Sequence, residues 1–199
     1  LDSGLQVDTE LYYLSDRTFV REFFERDVDQ EKVPETLVYL KKLDGDSAVT
    51  GLARLRINSW QTQTQYLPQV TYDVISRPVF EFDGFTDLLD ADEPVRGYWT
   101  HRTDIALVDR KHGDTGNSEE GSAFRIDDVE RLNMPFDIGQ VGIDPYVEGR
   151  VTSWAGDGLR DGGSAARLGL TFGFNASTQY WRTDPDVESE FWNIHGIRH

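Results

Sequence analysis

Apolar and polar side chains alternate at period two through most of this chain, and this pattern constrains its fold more than any other feature. In the segment Gly51–Trp60, the residues Ala53, Leu55 and Ile57 alternate with polar ones. The segment Ala166–Phe174 alternates in the same way, with apolar residues at Leu168, Leu170, Phe172 and Phe174. Such alternation is typical of a strand with one buried and one wet face. Both segments are therefore predicted to be strands.

Weaker versions of the same pattern predict further strands at Leu37–Leu43, Gln69–Ile75, Val79–Phe82, Tyr98–Val108, Phe124–Val129, Gly139–Ile143 and Val147–Trp154. Turn residues lie at Asp44-Gly45-Asp46, Asp83-Gly84 and Gly156-Asp157-Gly158. No fixed-period repeat and no strand–helix–strand rhythm is visible. The sequence thus predicts a mainly β fold, a single jelly roll, β-sandwich or barrel of about eight strands.

The domain organisation expected from this pattern is simple. Residues 1–199 are predicted to form a single β-rich domain, with an N-terminal arm at 1–14 and a C-terminal arm at 180–199. One short N-terminal helix is expected from Ser15 to about Asp27, because its apolar residues recur at helical spacing and Ser15 suits an N-cap. The polar segment Lys111–Ala123 is expected to be a long surface loop.

The charge balance indicates a saline habitat. The chain carries 36 acidic and 20 basic residues, a formal net charge of −16, and its basic residues are mostly Arg. Carboxylates close to the backbone hold water and cations, and scarce Lys limits aggregation in salting-out solvent. We therefore interpret the chain as halophilic; an ordinary acidic mesophilic protein is the alternative. Such a surface repels phosphate backbones, so no direct contact with nucleic acid is expected.

No membrane-spanning segment is predicted, because no stretch approaches the roughly 20 apolar residues that a span needs. The chain contains no cysteine, which excludes disulfides, thiolate metal sites and a cysteine nucleophile. A Gly-x-Ser-x-Gly elbow, a Walker loop, a dinucleotide fingerprint and a His-Glu-x-x-His motif are all absent. The sequence therefore predicts no catalytic residues, no enzymatic activity and no cofactor.

Metal binding is left open by the sequence. No His-x-His pair of the cupin type occurs, and His195 and His199 share zinc-ligand spacing only near the end of the chain. Two oxygen-rich, glycine-containing loops offer weak candidates for a Ca²⁺ or Mg²⁺ site, namely Asp157, Asp161, Asp87 and Asp90. Asn175 begins an Asn-Ala-Ser motif and is a weak candidate for glycosylation.

In length, in strands such as Gly51–Trp60 and Ala166–Phe174, and in its Asp-rich, Lys-poor composition, the chain resembles the single jelly-roll major capsid proteins of icosahedral, internal-membrane viruses of haloarchaea. The resemblance lies in style and includes no diagnostic motif. It implies a structural virion protein that assembles into a shell in high salt, with copies of itself and other virion proteins as partners. Assembly contacts are predicted in the aromatic-rich arms, at Tyr12, Tyr13, Trp181, Phe191 and Trp192.

Two alternatives share these features. The first is a tail-tube or decoration protein of a tailed virus from the same habitat. The second is a cell-surface or secreted domain that binds or hydrolyses carbohydrate, because Trp side chains stack on sugars and paired carboxylates hydrolyse them.

Overall fold

The computed structural model describes residues 4–14, 16, 18–23, 35–83, 94–113, 120–157, 163–178, 180, 183–189 and 194–198. The chain is mainly β, as predicted. Its elements are β1 (Leu5–Glu10), α1 (Phe19–Phe23), β2 (Thr36–Asp44), β3 (Ser47–Leu55), β4 (Gln63–Phe82), β5 (Val95–Lys111), β6 (Gly121–Asn133), β7 (Phe136–Ile138), β8 (Val141–Ala155), β9 (Ser164–Thr178), β10 (Thr183–Ser189) and β11 (Ile194–Arg198).

Strands β1 to β9 form one antiparallel sheet in which chain neighbours pair, except that β6 pairs with β8 instead of β7, and β10 pairs with β11 separately. β9 covers one side of β8 along its whole length. On the other side, the first residues of β8 pair with β7 and the remaining ones pair with β6. β7 and β6 therefore lie end to end along the same side of β8. The sheet is therefore an up-and-down meander that begins with β1 and ends with the long strand β9.

The predicted jelly roll and sandwich are not confirmed. A jelly roll needs Greek-key crossovers between two sheets, whereas the described strands β1 to β6 pair in chain order and β7, β8 and β9 continue the same sheet. Period-two alternation identifies a strand but carries no information about which strand lies beside it, so the sequence pattern is the same for both topologies.

The predicted N-terminal helix from Ser15 to Asp27 is not seen at that length. The described residues contain only a single helical turn, α1, whose start is capped by Asp16: its Oδ1 accepts hydrogen bonds from the backbone N–H groups of Thr18 and Phe19 at 2.8 and 3.0 Å. Ser15 and residues 24–27 lie outside the described residues. No helix in the described part of the chain is long and apolar enough to cross a bilayer.

Several predicted strands are parts of longer ones. Gln69–Ile75 and Val79–Phe82 belong to the 20-residue strand β4, which continues through register shifts against β3 and β5. Such β-bulges increase the local twist and let a long strand stay paired. The strand predicted in Gly51–Trp60 belongs to β3 but ends at Leu55.

The two faces of the sheet differ in polarity, because directly paired residues point to the same side. One ladder across the strands joins Val7, Leu40, Gly51, Val70, Ile105, Ile126, Ser153 and Ala166. The neighbouring ladder, on the other side, joins Gln6, Lys41, Thr50, Thr71, Asp104, Asp127, Thr152 and Arg167. We call these sides the apolar face and the polar face.

Candidate assembly surface

The apolar face is largely exposed to solvent. Large apolar side chains along it, from β1 to β9, belong to the exposed class, including Val7, Leu40, Val70, Ile105, Val147 and Phe172. Within the described residues, the buried apolar side chains are only Ala48, Val74, Val95 and Ala106. Monomeric soluble proteins rarely expose contiguous apolar patches of more than a few hundred Å². The sheet therefore presents the kind of surface that proteins normally cover.

Burial on the polar face is centred on Asp104, which is 4% exposed. Its carboxylate accepts hydrogen bonds from Gln69, from Arg125 and, at 2.9 Å, from the Thr71 hydroxyl. Burial alone raises the pKa of the Asp104 carboxyl, but these donors outweigh burial and hold the pKa below its usual value. Long polar side chains thus cover the polar face and satisfy its buried charge.

Asp127 lies directly opposite Asp104 in the pairing of β5 and β6. The guanidinium of Arg150 donates two hydrogen bonds to Asp127, at 2.9 and 2.6 Å, and this contact lowers the pKa of the Asp127 carboxyl. Thr152 donates a further hydrogen bond at 2.5 Å. Two adjacent carboxylates are therefore tolerated because each one has its own arginine.

Strand β9 is the most exposed part of the apolar face. Its Leu168 and Phe172 are 80% and 72% exposed, and it pairs with β8 over 15 residues without a register shift. Edge strands of soluble proteins are usually protected by Lys, Pro, a bulge or an inward charge. β9 contains neither Lys nor Pro and no acidic residue. It thus offers a long, regular edge to another strand.

A group of polar side chains lies on the apolar face among these residues. The Nδ1 atom of His101 is 2.8 Å from Glu130 Oε1 and 4.0 Å from Asp128 Oδ2. The Thr103 hydroxyl donates to Asp128 at 2.6 Å and contacts His101 Nε2 at 2.9 Å. The indole N–H of Trp99 donates to Glu130. We call these five residues the His101 cluster.

The chain matches no protein-family model, no curated protein and no solved structure. The interpretation of its surface therefore depends on its own residues.

The predicted assembly contacts in the arms are only partly described. Tyr13 is 77% exposed, whereas Tyr12 is half-buried and anchored through its backbone: its N–H donates to Thr36 and its carbonyl accepts from Asn58, both at 3.1 Å. The remaining three lie outside the described residues: Trp181, Phe191 and Trp192.

Of the weak cation and glycosylation candidates, the structure describes only Asp157 and Asn175. Asp157 Oδ1 accepts hydrogen bonds from the backbone N–H and the hydroxyl of Ser122, both at 3.0 Å. Asn175 is exposed on β9 opposite Asp144. Three candidates fall outside the described residues: Asp161, Asp87 and Asp90. Of the two C-terminal histidines, His195 lies in β11 and His199 is outside the described residues.

Sequence reasoning missed the His101 cluster. Its signal was the pair Asp128 and Glu130, two carboxylates at alternate positions of one strand, which must point to the same face. The strand opposite them, which carries His101, is known only from the pairing of β5 and β6.

Proposed function

We propose that this protein is a structural subunit that associates with copies of itself through the apolar face and β9, as a virion protein of a saline habitat would. The observation that carries the proposal is the exposed apolar face, which extends from β1 to β9. Burial of apolar surface contributes roughly 25 cal/mol per Å². Association that covers a face of this extent is therefore favourable.

The accessible surface of the chain supports a large interface. The chain exposes 14771 Å². The scaling law for compact monomers gives about 9,500 Å² at a mass of 22.7 kDa. The difference of about 5,000 Å² for one chain exceeds the roughly 1,000–2,500 Å² per partner that an obligate interface of about 2,000–5,000 Å² in total buries. The exposed apolar face contributes to this excess, and a partner on that face would remove part of it.

The partner that fits β9 best is a second copy of the chain. If two β9 strands pair antiparallel about a two-fold axis, the apolar faces of both copies lie on the same side of one continuous sheet. The strand holds one charged residue, Arg167, and no carboxylate. Two copies with a net charge of −16 would thus meet at a strand that has no carboxylate, which limits like-charge repulsion between them.

The form of the assembled particle is a separate part of the proposal. A closed shell is what the resemblance to capsid proteins implies, and a tail tube is the alternative from the same habitat. Negative-stain images of protein assembled in molar NaCl separate closed shells from rings and tubes. Particles of neither kind would remove the virion role but leave self-association in place.

A pair of lysine substitutions in β9 tests the self-association. Phe172 lies on the apolar face opposite Val147, and the adjacent Thr171 lies on the polar face opposite Glu148. Phe172→Lys loses the burial of a phenyl ring, about 1.5–3 kcal/mol, and should weaken association by at least tenfold. Thr171→Lys adds the same charge beside Glu148 and should leave association close to wild type.

Sedimentation velocity in molar NaCl at several protein concentrations measures both variants against the wild type. A wild type that sediments as a monomer at all concentrations, or a Phe172→Lys variant that associates as strongly as Thr171→Lys, would contradict the proposal.

A further inference from the structure

We propose that His101, Asp128 and Glu130 bind one divalent transition-metal ion of the zinc class on the apolar face. One ligand atom from each of the three side chains lies within 4.8 Å of the others. The bonds from zinc to nitrogen and carboxylate oxygen are about 2.0–2.2 Å, so tetrahedral ligand atoms stand roughly 3.3 Å apart. The observed separations of 2.8 and 4.0 Å from His101 Nδ1 lie on either side of that value.

Strand pairing fixes the position of all three side chains. His101 on β5 lies directly opposite Glu130 on β6, and Thr103 lies opposite Asp128 in the next pair on the same face. Neighbouring strands are about 4.8 Å apart, which brings facing side chains within reach of one ion. His101 is held between aromatic rings, with centroids 5.7 Å from Tyr72 and 5.5 Å from Trp99. The ligands therefore lie on two directly paired strands, not on a loop.

The hydrogen bonds around His101 leave a place for a cation. The Thr103 hydroxyl donates its proton to Asp128, so its oxygen accepts a hydrogen bond from His101 Nε2, which assigns a proton to Nε2. In that tautomer, the lone pair on Nδ1 faces the carboxylate of Glu130 at 2.8 Å. A contact of this length needs either a proton or a metal ion on Nδ1, and a metal ion, unlike a proton, would also bind Asp128, whose Oδ2 is 4.0 Å away.

The outer contacts resemble those that orient metal ligands. A ligating histidine usually donates its other ring N–H to an oxygen, and ligating carboxylates are usually hydrogen-bonded in turn. Here Thr103 contacts both His101 and Asp128, while Trp99 donates to Glu130. Each of the three ligands thus has an outer partner.

The ligand set selects the class of ion. Imidazole favours zinc, nickel, copper and iron over calcium and magnesium, which prefer oxygen alone. The chain has no thiolate to offer. Three protein ligands leave at least one position of a four-coordinate ion for water or for a group from another molecule. The site is therefore expected to take Zn²⁺ or Co²⁺ and to discriminate against Mg²⁺.

Titration of the full chain with Zn²⁺ by calorimetry tests the proposal, in molar NaCl with excess Mg²⁺ to occupy the acidic surface. One Zn²⁺ should bind per chain, and Co²⁺ should give visible absorption bands of a low-coordinate site. His101→Gln and Glu130→Gln should each weaken binding at least a hundredfold. His195→Gln is the control, because it removes a histidine outside the cluster and should leave the affinity unchanged.

A milder variant covers the case in which His101→Gln fails to fold. Trp99→Phe removes the N–H donated to Glu130 while keeping an aromatic ring beside His101, and loss of such an outer contact typically weakens metal binding about 10–100-fold. Wild-type protein that binds no stoichiometric Zn²⁺ or Co²⁺, or His101→Gln that folds and binds as tightly as the wild type, would overturn the proposal. Repeating the titration on Phe172→Lys keeps this result separate from self-association.

Discussion

Asp104 is the side chain on which the polar face depends most. It is 4% exposed and accepts hydrogen bonds from Gln69, Thr71 and Arg125. Asp104→Asn keeps the shape but loses the charge and leaves one donor facing an amide N–H. Because hydrogen bonds to charged groups contribute about 1.5–3 kcal/mol each, we expect the free energy of unfolding to fall by about 2–3 kcal/mol.

Urea denaturation in molar NaCl at a fixed protein concentration measures this loss. Glu81→Gln is the control, because it breaks an exposed ion pair with Arg96 at 3.0 Å and should change stability by less than about 1 kcal/mol. Equal urea midpoints for the two variants would show that the Asp104 charge does not stabilise the fold.

The lowered pKa of the Asp104 carboxyl predicts how the free energy of unfolding depends on pH. The pKa of Asp104 in the folded chain lies below its usual value of 3.8. A lowered pKa means that the charged form stabilises the fold above that usual value and that this stabilisation is lost as pH falls through the folded pKa. The gap in unfolding free energy between wild type and Asp104→Asn should therefore be constant near neutrality and close below about pH 4. A gap that persists at lower pH would argue against the charge as its cause.

The chemistry of single residues was only partly predictable from the sequence. The alternation of Asp128 and Glu130 placed both carboxylates on one face of a strand, which is a purely local property. Their meeting with His101, 27 residues earlier than Asp128, depends on the register of β5 against β6. Register is decided by the packing of whole strands and by turn geometry, so no local pattern contains it.

At the scale of elements, the end of β8 depends on a glycine. Gly156 has φ of 153°, and an added Cβ would lie 2.3 Å from the backbone oxygen of Ser122 and 2.7 Å from the Cα of Ala123. Both contacts are with backbone, which cannot swing away. Gly156→Ala should therefore lower the free energy of unfolding by about 2–3 kcal/mol.

Gly149, within β8 itself, provides the control. An added Cβ at Gly149 meets nothing within 4 Å. Gly149→Ala should raise the free energy of unfolding by about 0.5 kcal/mol, because alanine restricts the unfolded chain more than glycine does. Thermal unfolding of both variants checks the opposite signs, and equal losses in the two would contradict the proposed backbone clash.

Strand positions were predictable because alternation is a local signal, and β9 shows both its strength and its limit. The segment Ala166–Phe174 is a strand, as predicted, and its apolar residues share one face. The sequence pattern indicated that this face is covered, but in the chain by itself Leu168 and Phe172 are exposed. Alternation indicates that a face is apolar, but it does not indicate whether the same chain or another copy covers that face.

At the scale of the whole molecule, the sheet separates two kinds of surface. Carboxylate–arginine pairs lie on the polar face, and exposed apolar side chains lie on the other. The mainly β class was predictable from composition and alternation, but the meander was not, since connections between strands leave no periodic trace in the sequence. The proposed self-association would cover the apolar face and leave the carboxylate–arginine pairs of the polar face in solvent.

The net charge of −16 predicts a strong dependence of assembly on salt. Repulsion between exposed charges acts over about 30 Å at 0.01 M salt and about 3 Å at 1 M. Subunits that lie side by side in a sheet should therefore separate on dialysis from molar to millimolar NaCl and associate again when the salt returns. Sedimentation velocity and circular dichroism along the same dialysis series follow the size and the strand content.

A variant with less negative charge separates two effects of salt: the screening of repulsion between carboxylates, and the salting-out of the apolar face. Glu10→Gln, Asp44→Asn and Asp137→Asn together neutralise three exposed carboxylates. If screening is the cause, the salt midpoint for association falls in this variant, and sulfate and chloride act alike at equal ionic strength. If salting-out of the apolar face dominates, sulfate is the more effective anion and the midpoint of the variant stays where it is. A wild type whose size and spectrum are the same in millimolar and molar salt would contradict both mechanisms, and with them the halophilic interpretation of the chain.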